Sequence, residues 1–141
     1  MLTNAALRTL LFVLPLAACA ATSEDSAPPT PEASFKMEAV GVVNEWFDAI
    51  EARDSAGAAA LGTKAWRQAE QANSSSFTNS IFRDGVRFET HGIVGTTIED
   101  GLAKVRARAT MLRTDGTTDN EGLRFSLERN AEGDVKIVDL D

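Results

Sequence analysis

Residues 102–113, LAKVRARATMLR, decide the fold. Ala103, Val105, Ala107, Ala109 and Met111 alternate with Lys104, Arg106, Arg108 and Thr110, which is the period of a strand with one buried and one wet face. The buried face is built mostly of small residues, so a helix can lie close against it. Downstream, Asp115-Gly116 turns the chain, and Leu123, Phe125 and Leu127 alternate with Arg124, Ser126 and Glu128. Asn130 to Gly133 turns it again, and Val135 to Leu140 follows as a last strand. Upstream, Glu99-Asp100-Gly101 turns back into Ile93 to Ile98, and before that Val86, Phe88 and Thr90 alternate with Arg87, Glu89 and His91. Four strands linked by short turns predict an antiparallel sheet, with Leu102 to Arg113 as its longest strand.

Before Gly85 the period is near 3.6. Ala39, Val43, Trp46, Phe47 and Ile50 fall three or four apart, so an amphipathic helix is expected from Phe35 onward. Asp54-Ser55 opens a new turn, Ala56 to Leu61 makes a second short helix ended by Gly62, and Thr63 caps a third over Lys64 to Ala72. Phe77, Ile81 and Phe82 suggest one further turn before Asp84-Gly85. Helices first and strands after, without βαβ alternation, predict an α+β domain over residues 35–141 with its helices on one face of a curved antiparallel sheet.

The chain has 141 residues, one domain's worth once an N-terminal address is set aside. Met1 to Ala18 has the three parts of an export signal: a short start with Arg8, the apolar run Leu10 to Leu16, and small Ala17 and Ala18. The run is too short to span a bilayer, and Pro15 interrupts it. From Ala20 to Ser34 come Pro28, Pro29 and Pro31 with three acids and no base, the composition of a tether; at about 3.1 Å per residue it reaches roughly 45 Å. The 14 Lys and Arg against 21 Asp and Glu give a net charge of −7, which repels nucleic acid.

The junction Leu16-Ala17-Ala18-Cys19 resembles the lipobox of bacterial lipoproteins at all four positions. The resemblance implies a diacylglyceryl group on the Cys19 thiol, cleavage just before Cys19 and acylation of the new amine, with palmitate-length chains. Cys19 is the only cysteine, so it has no partner for an internal disulfide. Ala20, where the family's sorting pattern uses Asp for the inner membrane, implies anchoring in the outer membrane with the body in the periplasm. Residues 1–18 are then the signal peptide and residues 19–34 the lipidated Cys with its tether.

The folded part resembles the nuclear transport factor 2-like superfamily, which includes ketosteroid isomerase and the polyketide-cyclase-type (SnoaL) folds. The resemblance rests on element order, on the helical stretch EWFDAIEARDSAGAAAL and on the closing hairpins that end in DVKIVDLD. It implies a cone in which helices and a curved sheet enclose an apolar pocket, and dimers through the outer sheet face. Cystatin-like folds, which also wrap a sheet around one helix, are the competing architecture.

Chemistry-bearing residues are few. His91 is the only histidine, and the resemblance implies a proton-moving His or Asp in the cone, so His91 with Asp48 is the candidate acid–base pair. The plainer reading is a hydrogen-bonded strand histidine, because no second base, nucleophile or oxyanion signature accompanies it. Trp46, Trp66 and Phe88 are pocket candidates, although aromatics at this spacing are ordinarily core. No metal site or cofactor is expected, and the glycines open no phosphate loop. Lys104, Arg106 and Arg108 share a strand face that Arg124 extends, either an anion or partner surface or a solvated sheet face. The expected function is non-catalytic binding of a small apolar ligand or an envelope protein, by a body held to the membrane through its lipid. The alternatives are a cone-pocket isomerase, dehydratase or hydrolase, a homodimer, and a purely structural envelope component.

Overall fold

The computed structural model describes residues 27–141. The export signal, Cys19 and the tether up to Ser26 lie outside the described residues.

Helix α1 spans Pro31–Glu51 and starts inside the stretch expected to be tether. Thr30-Pro31-Glu32 explains the difference. The Thr30 hydroxyl accepts a hydrogen bond from the Ala33 amide at 3.2 Å, Pro31 needs no amide partner in the first turn, and Glu32 meets the positive end of the helix. The same residues suit a Pro-rich linker, so composition alone cannot separate the two. The buried face of α1 is Ala39, Val43, Trp46, Phe47 and Ile50, as the spacing predicts. Past α1, Arg53 takes φ 58° and reaches over to donate to the carbonyls of Val86 at 2.8 Å and Phe82 at 2.9 Å.

Three short helices follow: α2 (Ser55–Ala60), α3 (Lys64–Ala72) and α4 (Phe77–Arg83). Asp54, Thr63 and Ser76 cap them by accepting from the amides of Gly57, Trp66 and Asn79. Gly62 has a packing role beyond ending a helix: a Cβ there would run into the Trp66 ring.

The sheet is an antiparallel meander, β1 (Arg87–Glu99), β2 (Leu102–Leu112), β3 (Thr118–Arg129) and β4 (Val135–Leu140), in that spatial order. At 13 residues β1, not the 11-residue β2, is the longest strand. The extra length is two register shifts against β2, which leave Glu89 and Val94 unpaired and bend the strand. The β1–β2 turn runs through Asp100 and Gly101 at φ 52° and 77°, the left-handed pair a two-residue hairpin turn requires. At the other edge, the link between α2 and α3 pairs with β4: the Thr63 amide donates to the Ile137 carbonyl and the Ile137 amide to the Leu61 carbonyl, both at 2.9 Å. That covers part of an edge that would otherwise be open to another strand.

The core lies between α1 and the inner sheet face, where Trp46, Phe47, Ile50, Val105, Phe125, Leu127 and Ile137 are fully buried. Across the end of this layer, Arg129 of β3 grips Glu38 of α1 with two bonds of 2.8 and 2.9 Å and lies over the Phe35 ring. The domain is α+β, helices on one face of a curved antiparallel sheet, as the sequence predicts.

Candidate functional site

Inside the layer, where a cone pocket would be, the chain's own rings fill the space. Trp46 meets Phe47 and Phe125 edge-on at 5.3 and 5.2 Å, and Phe88 meets Phe47 edge-on at 5.2 Å. Trp46 and Phe88 are therefore core residues. The Trp46 indole Nε1 is buried there and finds no acceptor among the described residues.

His91 sits at the rim of this aromatic layer. Strict alternation would put it on the face opposite Phe88, but the unpaired Glu89 shifts the phase by one, so His91 faces inward with Phe88 and Thr90 faces outward. The unpaired Val94 restores the original phase, and Thr96 and Ile98 face inward again. The His91 ring stacks flat on Phe47, 4.1 Å between centroids at 6°, and its Nε2 lies 3.0 Å from Glu51 Oε1. Glu51, one turn beyond Asp48 on α1, is thus the carboxylate that meets His91; the Asp48 side chain is exposed to solvent. The pair can pass a proton to a group docked at the rim, but Glu51 is about half exposed and water reaches it freely. Sequence spacing misses the Glu51 contact because the bulge that turns His91 inward carries no residue signature. No cluster of metal-ligating side chains occurs among the described residues.

Trp66 borders a cleft of about 280 Å³ between α2, α3 and α4, together with Ala56, Ala59, Thr78 and Phe82. The Thr78 hydroxyl is buried without a partner among the described residues.

The outer sheet face carries the basic residues. Cross-strand register sets them in rows: Thr90, Thr110 and Asn120; then Gly92, Arg108 and Gly122; then Gly95, Arg106 and Arg124; then Thr97, Lys104, Ser126 and Asp139. Shallow concavities of about 620, 230 and 540 Å³ follow one another along these rows and share Arg108, Gly122, Arg106 and Arg124 at their borders. The Arg106 guanidinium lies over Gly95, where a Cβ would come within 3.2 Å of its Nη2. A Cβ at Gly92 or Gly122 would meet nothing within 4 Å. Lys104 donates to the Ser126 hydroxyl at 2.8 Å. Lys104, Arg106, Arg108 and Arg124 take part in no ion pair among the described residues, whereas Arg83, Arg113 and Arg129 each hold a carboxylate. Acids border the trough at both ends: Glu99, Asp139 and Asp141 in the concavity with Lys104, and Glu121 in the concavity with Arg108.

No family model matches the chain, and no curated protein does either. Among solved structures it is similar to a SEC-C motif containing protein from Rhodopseudomonas palustris, at 12% identity and a TM-score of 0.57 over 71% of this chain and 74% of that one. It is also similar to Aln2 from a Streptomyces species, at 18% identity and a TM-score of 0.51 over 81% and 91% of the two chains. The likeness is one of fold. At these identities it carries no residue roles across.

Proposed function

We propose that this chain is an exported lipoprotein, anchored by acyl chains on Cys19 in the outer membrane, whose nuclear transport factor 2-like body works by binding another envelope protein. The lipobox match supports the anchor, and two or three acyl chains hold a protein far more firmly than one. Because α1 begins at Pro31, the tether expected over residues 20–34 ends no later than residue 30. Trp46, Phe47 and Phe125 occupy the place where an interior ligand or substrate would sit, which leaves a purely structural component or a surface binder. The observation that carries the binding reading is the row of Arg106, Arg108 and Arg124 on the outer sheet face, none of them in an ion pair among the described residues. A partner protein needs only a surface.

A second reading, a proton-transferring isomerase, dehydratase or hydrolase, draws its support from the His91–Glu51 contact. Native mass spectrometry of the detergent-extracted chain separates the two. Binding of a protein predicts a lipidated species that also carries a partner chain, unchanged by His91→Gln. A constant small-molecule adduct lost in His91→Gln would overturn the binding reading in favour of a ligand or substrate at the rim.

A further inference from the structure

The outer face has two features that the fold itself does not need. Arg106 and Arg124 are direct cross-strand partners, and like charges placed opposite each other weaken a sheet. Gly92 and Gly122 lie inside strands with ordinary strand backbone, where a glycine also weakens pairing, and open space surrounds both. Neither the turn chemistry nor the packing of the domain explains the Arg106–Arg124 pair or Gly122, while Gly92 lies between the two bulges of β1, where strand glycines are found. Besides marking bulges, a strand glycine marks a place where a ligand or another backbone comes close. Here the two glycines flank Arg108 on either side, so the trough has a bare floor with a guanidinium in its middle.

We infer that this trough binds an extended acidic segment of a partner protein, laid along β2 with its carboxylates on Arg108, Arg106 and Arg124. The inference rests on the reading that the body binds a protein. Arg108, Arg106 and Lys104 are alternate residues of one strand, so they repeat about every 7 Å. An extended peptide presents alternate side chains at the same spacing, so acids at every second position meet the cations in step. Guanidinium groups pair with carboxylates through parallel hydrogen bonds, and the bare floor at Gly92 and Gly122 lets a peptide backbone come close. Glu99, Asp139 and Asp141 at one end and Glu121 at the other repel the segment and so limit its register. A second copy of the chain stacked on this face would set its own arginines near these, and a planar bilayer would not enter a trough floored by glycine.

The test uses the full lipidated chain in neutral detergent and a fluorescent nine-residue peptide of alternating Glu and Ser, read by anisotropy. Binding is expected to weaken about tenfold in Arg106→Ala/Arg108→Ala, at about a factor of three per exposed charge pair, and to weaken as salt is raised. Gly122→Val leaves every charge in place and fills the floor, so it too weakens binding, while thermal melting shows the fold intact. Lys64→Ala, a surface cation on α3, leaves binding unchanged. A peptide with Gln for Glu that binds as well, or Gly122→Val that binds as well, overturns the inference. So does capture by phosphatidylglycerol vesicles in preference to phosphatidylcholine vesicles that is lost in Arg106→Ala/Arg108→Ala, without peptide binding, or a dimer dispersed by Arg108→Ala. If the peptide fails while native mass spectrometry still finds a partner chain, the trough is wrong and the binding reading stands.

Discussion

Replacing Trp46 by Phe measures how dry and full the interior is. The change removes part of a fully buried indole, about 40 Å² of apolar surface, worth roughly 1 kcal/mol at about 25 cal/mol per Å². The space left, about 35 Å³, adds roughly 0.8 kcal/mol at about 24 cal/mol per Å³. Against this, the substitution also removes an indole N–H with no acceptor among the described residues, a buried orphan that costs about 1–3 kcal/mol. The opposing effects nearly cancel, so Trp46→Phe is expected within about 1 kcal/mol of the parent chain. Trp46→Ala removes the same N–H but leaves the space of the whole indole empty, and is expected to lose about 3–5 kcal/mol. Urea unfolding followed by far-ultraviolet circular dichroism gives both numbers, and Trp66 remains as a fluorescent check. A loss of about 3 kcal/mol or more in Trp46→Phe would show that the indole N–H is bonded to something inside, and the filled, dry interior would be refuted.

Other outcomes follow from the same contacts. Arg129, and then Ser34, hydrogen-bond Glu38 and hold its carboxyl below the ordinary value of 4.5. Its contribution to stability is therefore full above that value and lost as pH falls through the lowered one; Glu38→Gln should flatten the acid limb of a stability–pH curve, and an unchanged limb would deny the clamp its role. Gly122→Thr, with open space around its new side chain and a better strand former in place of glycine, should stabilise the fold by up to about 1 kcal/mol, read as a higher melting temperature. Gly62→Ala should lower it, because the added methyl meets the Trp66 ring, and a neutral result would mean that α3 shifts freely.

Most of the architecture was legible because each element signals itself locally. The five buried positions of α1 follow a helical period, the caps at Asp54, Thr63 and Ser76 fall where a polar residue precedes each helix, and Asp100-Gly101 marks its hairpin. The start of α1 was not legible, since Thr30-Pro31-Glu32 reads equally as linker and as cap. The facing of β1 was hidden for a different reason. Two single-residue bulges, at Glu89 and Val94, reverse the strand's phase and then restore it, and strict alternation puts His91 on the wrong side. That one reversal moves His91 onto Phe47 and brings it to Glu51 rather than leaving it outward. The cation row on β2 was visible as alternation, but its glycine floor was not, because Gly92 and Gly122 become neighbours of Arg108 only through pairing across three strands.

Every role proposed for the body presupposes an acylated N-terminus that holds the mature chain in place. Mass spectrometry of its N-terminal peptide, taken from membranes of the producing cells, should find a chain that begins at Cys19 and carries the mass of a diacylglyceryl group, with or without a third acyl chain. A mature chain that begins elsewhere, or an unmodified Cys19 thiol, would contradict it.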